Sequence, residues 1–392
     1  MLFKTLRKRV SARFIVGVAV MVFAIALQPL LHPSVASPPR LPPVVPAPSS
    51  SIPPCLQSCR KPRLLFSPAS RFSEGLASVR IVTPDTHRVG YIDPSSRVVI
   101  QPQFDYGDDF SEGLAAVIIG TKSGYIDKTG RIVIQPLFTS ASPFSDGLAK
   151  VSIGNKYGFI DKTGLIVIEP QFDLEQTDNF SEGLARVNIN EQWGFIDKTG
   201  KIAIAPKFQF ASSFSEGVAE VRIGAKFGYI EKTGNIVIEP QFDSASDFSE
   251  GLAGVSIGDK WGYIDKTGNI VIKPQFDGAS RFKEGLALAT IDKKLNYIDK
   301  TGNIVIKPQF QSVSDFSEGL AVVTIGDKAG FIDKTGTFLI QPQFDDASDF
   351  SEGLAAVKIG SQWGYIDKTG KVAIKPQFGF EREGLSQPPL RL

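Results

Sequence analysis

The sequence predicts an all-β fold of nine tandem units of about 34 residues, and three observations carry that prediction. A Gly followed by Tyr or Phe recurs at Gly90, Gly124, Gly158, Gly194, Gly228, Gly262, Gly330 and Gly364, with Asn296 in the remaining slot. The successive spacings are 34, 34, 36, 34, 34, 34, 34 and 34 residues. A second marker, close to Phe-Ser-Glu-Gly-Leu-Ala, keeps the same beat at Phe72, Phe110, Phe144, Phe180, Phe214, Phe248, Phe282, Phe316 and Phe350. Between the markers lie short runs of β-branched and aromatic residues separated by turn residues, with no helical period.

One unit shows the elements in order. Leu252, Ala253, Val255 and Ile257 form a first apolar run, residues 261–265 a second and residues 270–272 a third. Asp265-Lys266-Thr267-Gly268 joins the last two and has the chemistry of a type I turn closed by a Gly bulge, hence a hairpin. The turn before the second run carries Gly120, Gly154, Gly224, Gly258, Gly326 and Gly360, replaced by Asn190 and Asp292. Asn and Asp are the residues after Gly that best tolerate the left-handed region, so the substitutions themselves support a turn there. Pro274 and its equivalents end the third run, because Pro donates no ladder hydrogen bond. Each unit therefore reads as an antiparallel hairpin or three-stranded sheet. Alone it is too small to bury its apolar face.

Outside the array the chain divides simply. Residues 1–36 have a basic start, an apolar core from Phe14 to Leu27 and Ser34-Val35-Ala36 before Ser37, the pattern of a cleaved signal peptide. Fourteen apolar residues span only ~21 Å as a helix, short of a ~30 Å hydrocarbon core, so an uncleaved membrane anchor is the lesser alternative. Residues 37–62 form a Pro/Ser-rich linker that includes Cys55 and Cys59, a candidate disulfide in an oxidising compartment. The array occupies residues 63–385 and residues 386–392 are a tail. The formal charge of +2 comes from the leader. Without Lys4, Arg7, Lys8, Arg9 and Arg13, 43 minus 41 becomes 38 minus 41, or −3, which argues against a nucleic-acid partner.

At Lys260-Trp261-Gly262 the chain resembles bacterial WG-repeat proteins, over about residues 66–378. Trp stands at Trp193, Trp261 and Trp363; Tyr157 and Phe227 keep an aromatic, whereas Ser123, Leu295 and Ala329 depart from the pattern. The resemblance implies a β-rich tandem array on exported or surface proteins, without general catalytic activity and with no catalytic residue to transfer.

Two arrangements of the units remain open at this stage. Nine blades lie outside the usual propeller range of four to eight, so an open superhelical array is preferred and a propeller-like ring is the alternative. Partial units at both chain ends would serve either to close a ring or to cap an array. For function, recurrent residues argue against an active site, since catalysis needs singular ones, and the regular units contain no His or Cys. No cofactor or metal is expected. The recurrent acid of the second marker (Glu250 and its equivalents) reads as turn structure rather than paired carboxylates. The rings of Trp193, Trp261, Trp363, Tyr157 and Phe227 either line a partner surface for protein or envelope glycan, or pack between units, the reading preferred here. A structural spacer is the second function class; a wall-polymer hydrolase is the third.

Overall fold

The computed structural model describes residues 64–65, 70–82, 87–173, 176–307 and 309–379. The leader, the linker with Cys55 and Cys59, and the C-terminal tail lie outside these residues. The described chain forms nine antiparallel sheets, one per unit, here called blades 1 to 9. Blade 6 shows the plan: short strand Ser244–Ala245, then Leu252–Ile257, Lys260–Asp265 and Ile270–Phe276, paired in that order. The two-residue first strand escapes a reading by apolar runs because it is held by the sheet rather than by its own sequence.

The hairpin chemistry is as expected. Gly268 has φ +85° and its N–H donates to the Asp265 carbonyl at 3.0 Å; the Asp265 side chain accepts from the Thr267 and Asn269 N–H groups. At the preceding turn Gly258 alone has positive φ, the signature of a type II′ loop. In blades 4 and 7 both loop residues are left-handed, Asn190 with Glu191 and Asp292 with Lys293, the signature of type I′. A residue with a Cβ cannot adopt the first position of type II′, so the loop switches class where Gly is lost.

The recurrent Gly of the third strand has a different reason. A Cβ on Gly262 would stand 2.4 Å from the Ile272 carbonyl oxygen and 2.6 Å from Pro274 N on the fourth strand. Blade 7 lacks that Gly and its geometry is altered accordingly. There Asn296 is buried, the fourth strand shortens to Ile304–Ile306, and Phe310 is half-exposed, with its ring against Phe338 at 5.8 Å.

The core lies between blades rather than inside them. Tyr263, Ile272 and Phe276 of blade 6 pack with Phe282, Ala287, Ala289 and Ile298 of blade 7. Burying each large side chain contributes about 1.5–3 kcal/mol. The Tyr263 and Phe282 rings stand 4.8 Å apart and the Tyr263 hydroxyl donates to the Ser280 carbonyl at 2.7 Å.

The same contacts join blade 9 to blade 1. Phe72 meets Tyr365 at 5.0 Å, Ser351 Oγ donates to the Phe72 carbonyl, Glu352 accepts from Gly75 N–H, and Tyr365 donates to the Ser70 carbonyl. Phe72, Ala77, Val79 and Ile92 share one buried cluster with Ala356, Trp363, Tyr365 and Ile374. The array is therefore a closed nine-bladed ring, which corrects the preference for an open superhelix in favour of the stated alternative. The blade count is a weak guide because closure depends on the rotation set at each junction, and the last junction here repeats the others.

Candidate interaction surface

Each Phe-Ser-Glu-Gly segment forms a tight hairpin in which Glu and Gly both have positive φ, such as Glu250 at +54° and Gly251 at +86°. Glu is an unusual occupant of a left-handed position. Its carboxylate explains it: Glu250 accepts from the Gly285 N–H of the next blade and pairs with Lys300 at 3.1 Å. Burial raises the pKa of the Glu250 carboxyl, but the Lys300 hydrogen bond and the Gly285 N–H more than offset this and hold it below the usual range. The acid-to-glycine bond recurs at all nine junctions. The recurrent acids, and seven of the hairpin lysines, are thus joined to neighbouring blades.

The aromatic slot before the glycine is also built into the junctions. Trp261 is half-buried against the blade 6–7 cluster with its ring over Gly254, and Trp363 is 7% exposed in the closing cluster. Phe227 packs beside the Tyr229 cluster and Tyr157 beside that of Phe159. Trp193 lies beneath the Arg186 guanidinium at 4.5 Å, and Arg186 in turn donates to the Ala211 carbonyl of blade 5 at 2.6 Å.

The residues that do not repeat gather elsewhere. A cleft of about 510 Å³ is walled by Ser246 and Ser249 of blade 6, Arg281 and Lys283 of blade 7 and Asp315 of blade 8. Side chains from three successive blades converge where blades are closest, which in a ring is toward its axis. The position before each buried marker Phe lies along this edge, and its occupants are Arg71, Asp109, Pro143, Asn179, Ser213, Asp247, Arg281, Asp315 and Asp349. Sequence reasoning missed this row, although the signal was present as a variable letter directly before the most regular motif.

The row is charged and unevenly paired. Arg281 meets Asp247 at 3.0 Å and Arg71 approaches Asp109 at 3.6 Å. Burial raises the pKa values of Asp108, Asp109 and Asp315. Glu220, 7% exposed in blade 5, is pushed up to about 7 by burial, with Asp247 adding to the effect and Arg281 opposing it. Lys150 and Arg186 hold the equivalent positions in blades 3 and 4 and donate to the Thr177 and Ala211 carbonyls of the following blades. An ionised Glu has no proton to donate there. No group of three or more His, Cys, Asp or Glu side chains suited to a metal occurs among the described residues.

Comparison with known proteins places these features in a family. The chain is similar in structure to Kluyveromyces lactis Hsv2 (11% identity, TM-score 0.35, 55% of this chain and 86% of that one). It is also similar to the WD40 domain of SCAP from fission yeast (9%, TM-score 0.37, 79% and 96%). A third similar structure is the dihydro-heme d1 dehydrogenase NirN (13%, TM-score 0.39, 79% and 76%). No curated protein matches this chain. The WG containing repeat model matches nine successive segments, 90–122, 124–157, 157–193, 193–227, 227–261, 261–294, 297–328, 330–363 and 363–380. With most of its length tiled by that repeat, the first eight matches each running from the last strands of one blade into the first strands of the next, this chain belongs to the WG containing repeat family.

Proposed function

We propose that this is an exported, non-catalytic repeat protein that acts as an interaction platform at the cell envelope, presenting its axis-facing edge to a protein or glycan. One observation carries the reading: the repeated residues are engaged between blades, whereas a non-repeating, mostly charged set from Arg71 to Asp349 runs along that edge. A frame that repeats beside a row that varies is the arrangement expected of a binding surface, where specificity resides in a few positions. The excess of acids in the row disfavours nucleic acid. Export rests on the leader sequence; no helix among the described residues is long and apolar enough to cross a membrane. The half-buried rings of Trp193, Trp261, Tyr157 and Phe227 would contribute to a partner surface only at their exposed margins.

The spacer reading loses support from ring closure, because adding or removing a blade changes curvature rather than reach. Affinity capture of the processed chain from its own cell envelope tests the platform. A variant with Ser213→Lys and Asp315→Lys should keep the wild-type β spectrum and lose the captured partners. Unchanged capture by that variant would move the surface away from the axis.

A further inference from the structure

The junction between blades 8 and 9 is one of those without a ring in the aromatic slot, as Ser123 and Leu295 also show in blades 2 and 7. Its aromatic slot holds Ala329, and beside that residue opens a cleft of about 400 Å³. Val313, Val322, Ala329 and Ala347 supply its apolar lining, Ser and Thr hydroxyls much of the rest, and its acids are Asp346, Asp349 and Asp345, the last paired with Lys328 at 2.6 Å. The corresponding junction between blades 6 and 7 shows what such a space accommodates. There the Trp261 ring lies over Gly254, with the nearest ring atoms 3.6 and 3.8 Å from where a Cβ on that Gly would be. By register Gly254 corresponds to Val322, Ala279 to Ala347, and Ser280 to Ser348. The two junctions share Ala and Ser neighbours and differ in two places, the ring itself and Val322 where blade 6 has Gly254.

We propose that this cleft is a recognition pocket for an aromatic side chain, offered by a partner polypeptide that carries a basic residue beside it. The inference rests on the platform reading and names the chemistry of one contact within it. The ring that fills the corresponding space in blade 6 indicates the class of occupant, and Val322 in place of Gly254 narrows the floor it would rest on. The basic flank is indicated by Asp346 and Asp349, which are exposed and form no ion pair among the described residues. Aromatic anchors give large contact area for few rotatable bonds, and carboxylates at the rim select partners by charge.

The test uses purified processed protein and the peptide acetyl-Lys-(5-fluoro-Trp)-Lys-amide, monitored by ¹⁹F NMR. Saturable binding is expected, with at least about tenfold weaker binding when Ala replaces the fluorinated residue. Val322→Gly with Ala329→Trp rebuilds the blade 6 pair and should weaken the peptide at least about tenfold while keeping the fold. Val322→Lys gives a second blocked cleft, because Lys150 already occupies that slot in blade 3. Absence of binding by the wild type, or equal binding by both filled variants, would overturn the proposal. Binding of an N-acetylglucosamine oligomer that the filled variants abolish, without peptide binding, would also overturn it. If the filled variants still capture envelope partners, the cleft assignment fails and the platform reading stands; if the Ser213→Lys/Asp315→Lys variant retains capture while the cleft binds peptide, the axis-facing placement fails and the cleft assignment stands.

Discussion

The closing junction of blades 9 and 1 and the internal junction of blades 6 and 7 use the same contacts with different support. Both have a Tyr–Phe ring pair, a Tyr hydroxyl on a backbone carbonyl, a Ser–carbonyl bond and an acid on a glycine N–H. The internal junction also has a chain connection and the Lys300–Glu250 pair. At the seam Pro94 stands where the hairpin lysine would be, and Glu352 has no ion pair among the described residues. The difference shows that ring closure is supplied by packing and hydrogen bonds alone, with the lysine pair an addition. A ring of n blades gains one interface over an open array of n, and that interface holds the ends without a covalent tie.

The largest expected effect breaks the packing. Phe72→Ala and Phe248→Ala each remove a fully buried ring and should each cost about 3–5 kcal/mol in denaturant unfolding. A loss from Phe72→Ala near zero would mean that the seam is open in solution. Next comes Glu220→Gln at the junction of blades 5 and 6. A carboxyl whose pKa is raised from 4.5 in the folded chain lowers stability as pH rises through the interval up to about 7. The variant should therefore gain about 1–3 kcal/mol over wild type at pH 8 and little at pH 4, read as the difference between two stability–pH curves. Equal curves would remove the buried charge from the account.

Tyr365→Phe and Tyr263→Phe should each lose about 0.5–1.5 kcal/mol, since each deletes one buried hydroxyl and leaves a carbonyl to find another donor. A much larger loss for Tyr365 would show that the seam depends on its polar contacts more than the internal junctions do. The smallest effect is Lys300→Met, which makes an internal junction resemble the seam and should cost under about 1 kcal/mol, less in high salt. The Glu250 carboxyl it pairs with is held below its usual pKa, so the pair's contribution is present near neutral pH and is lost as pH falls below the usual carboxylate range.

Much of the fold was legible in the chain. The period located every blade, and Gly268, Gly258, Asn190 and Asp292 marked turns whose backbone the structure bears out. The two-residue first strands were not legible, because Ser244–Ala245 has no pattern of its own and forms only against Val255 and Ser256. The recurrent acid was read as turn structure, but its reach to the next blade's glycine and lysine depends on contacts between residues 35 and 50 positions apart. The axis-facing row was written in the sequence at one variable position, and its meaning appeared only when three blades converged on one cleft.

The sequence by itself determined the unit, its hairpins and the need for neighbours, because turn chemistry and short apolar runs act over a few residues. The tertiary structure alone decided that nine units close into a ring. Closure depends on the rotation accumulated over every junction, and no local run of residues encodes that sum. The cleft beside Ala329 obeys the same rule, since a missing ring becomes a space only when the next blade forms its other wall.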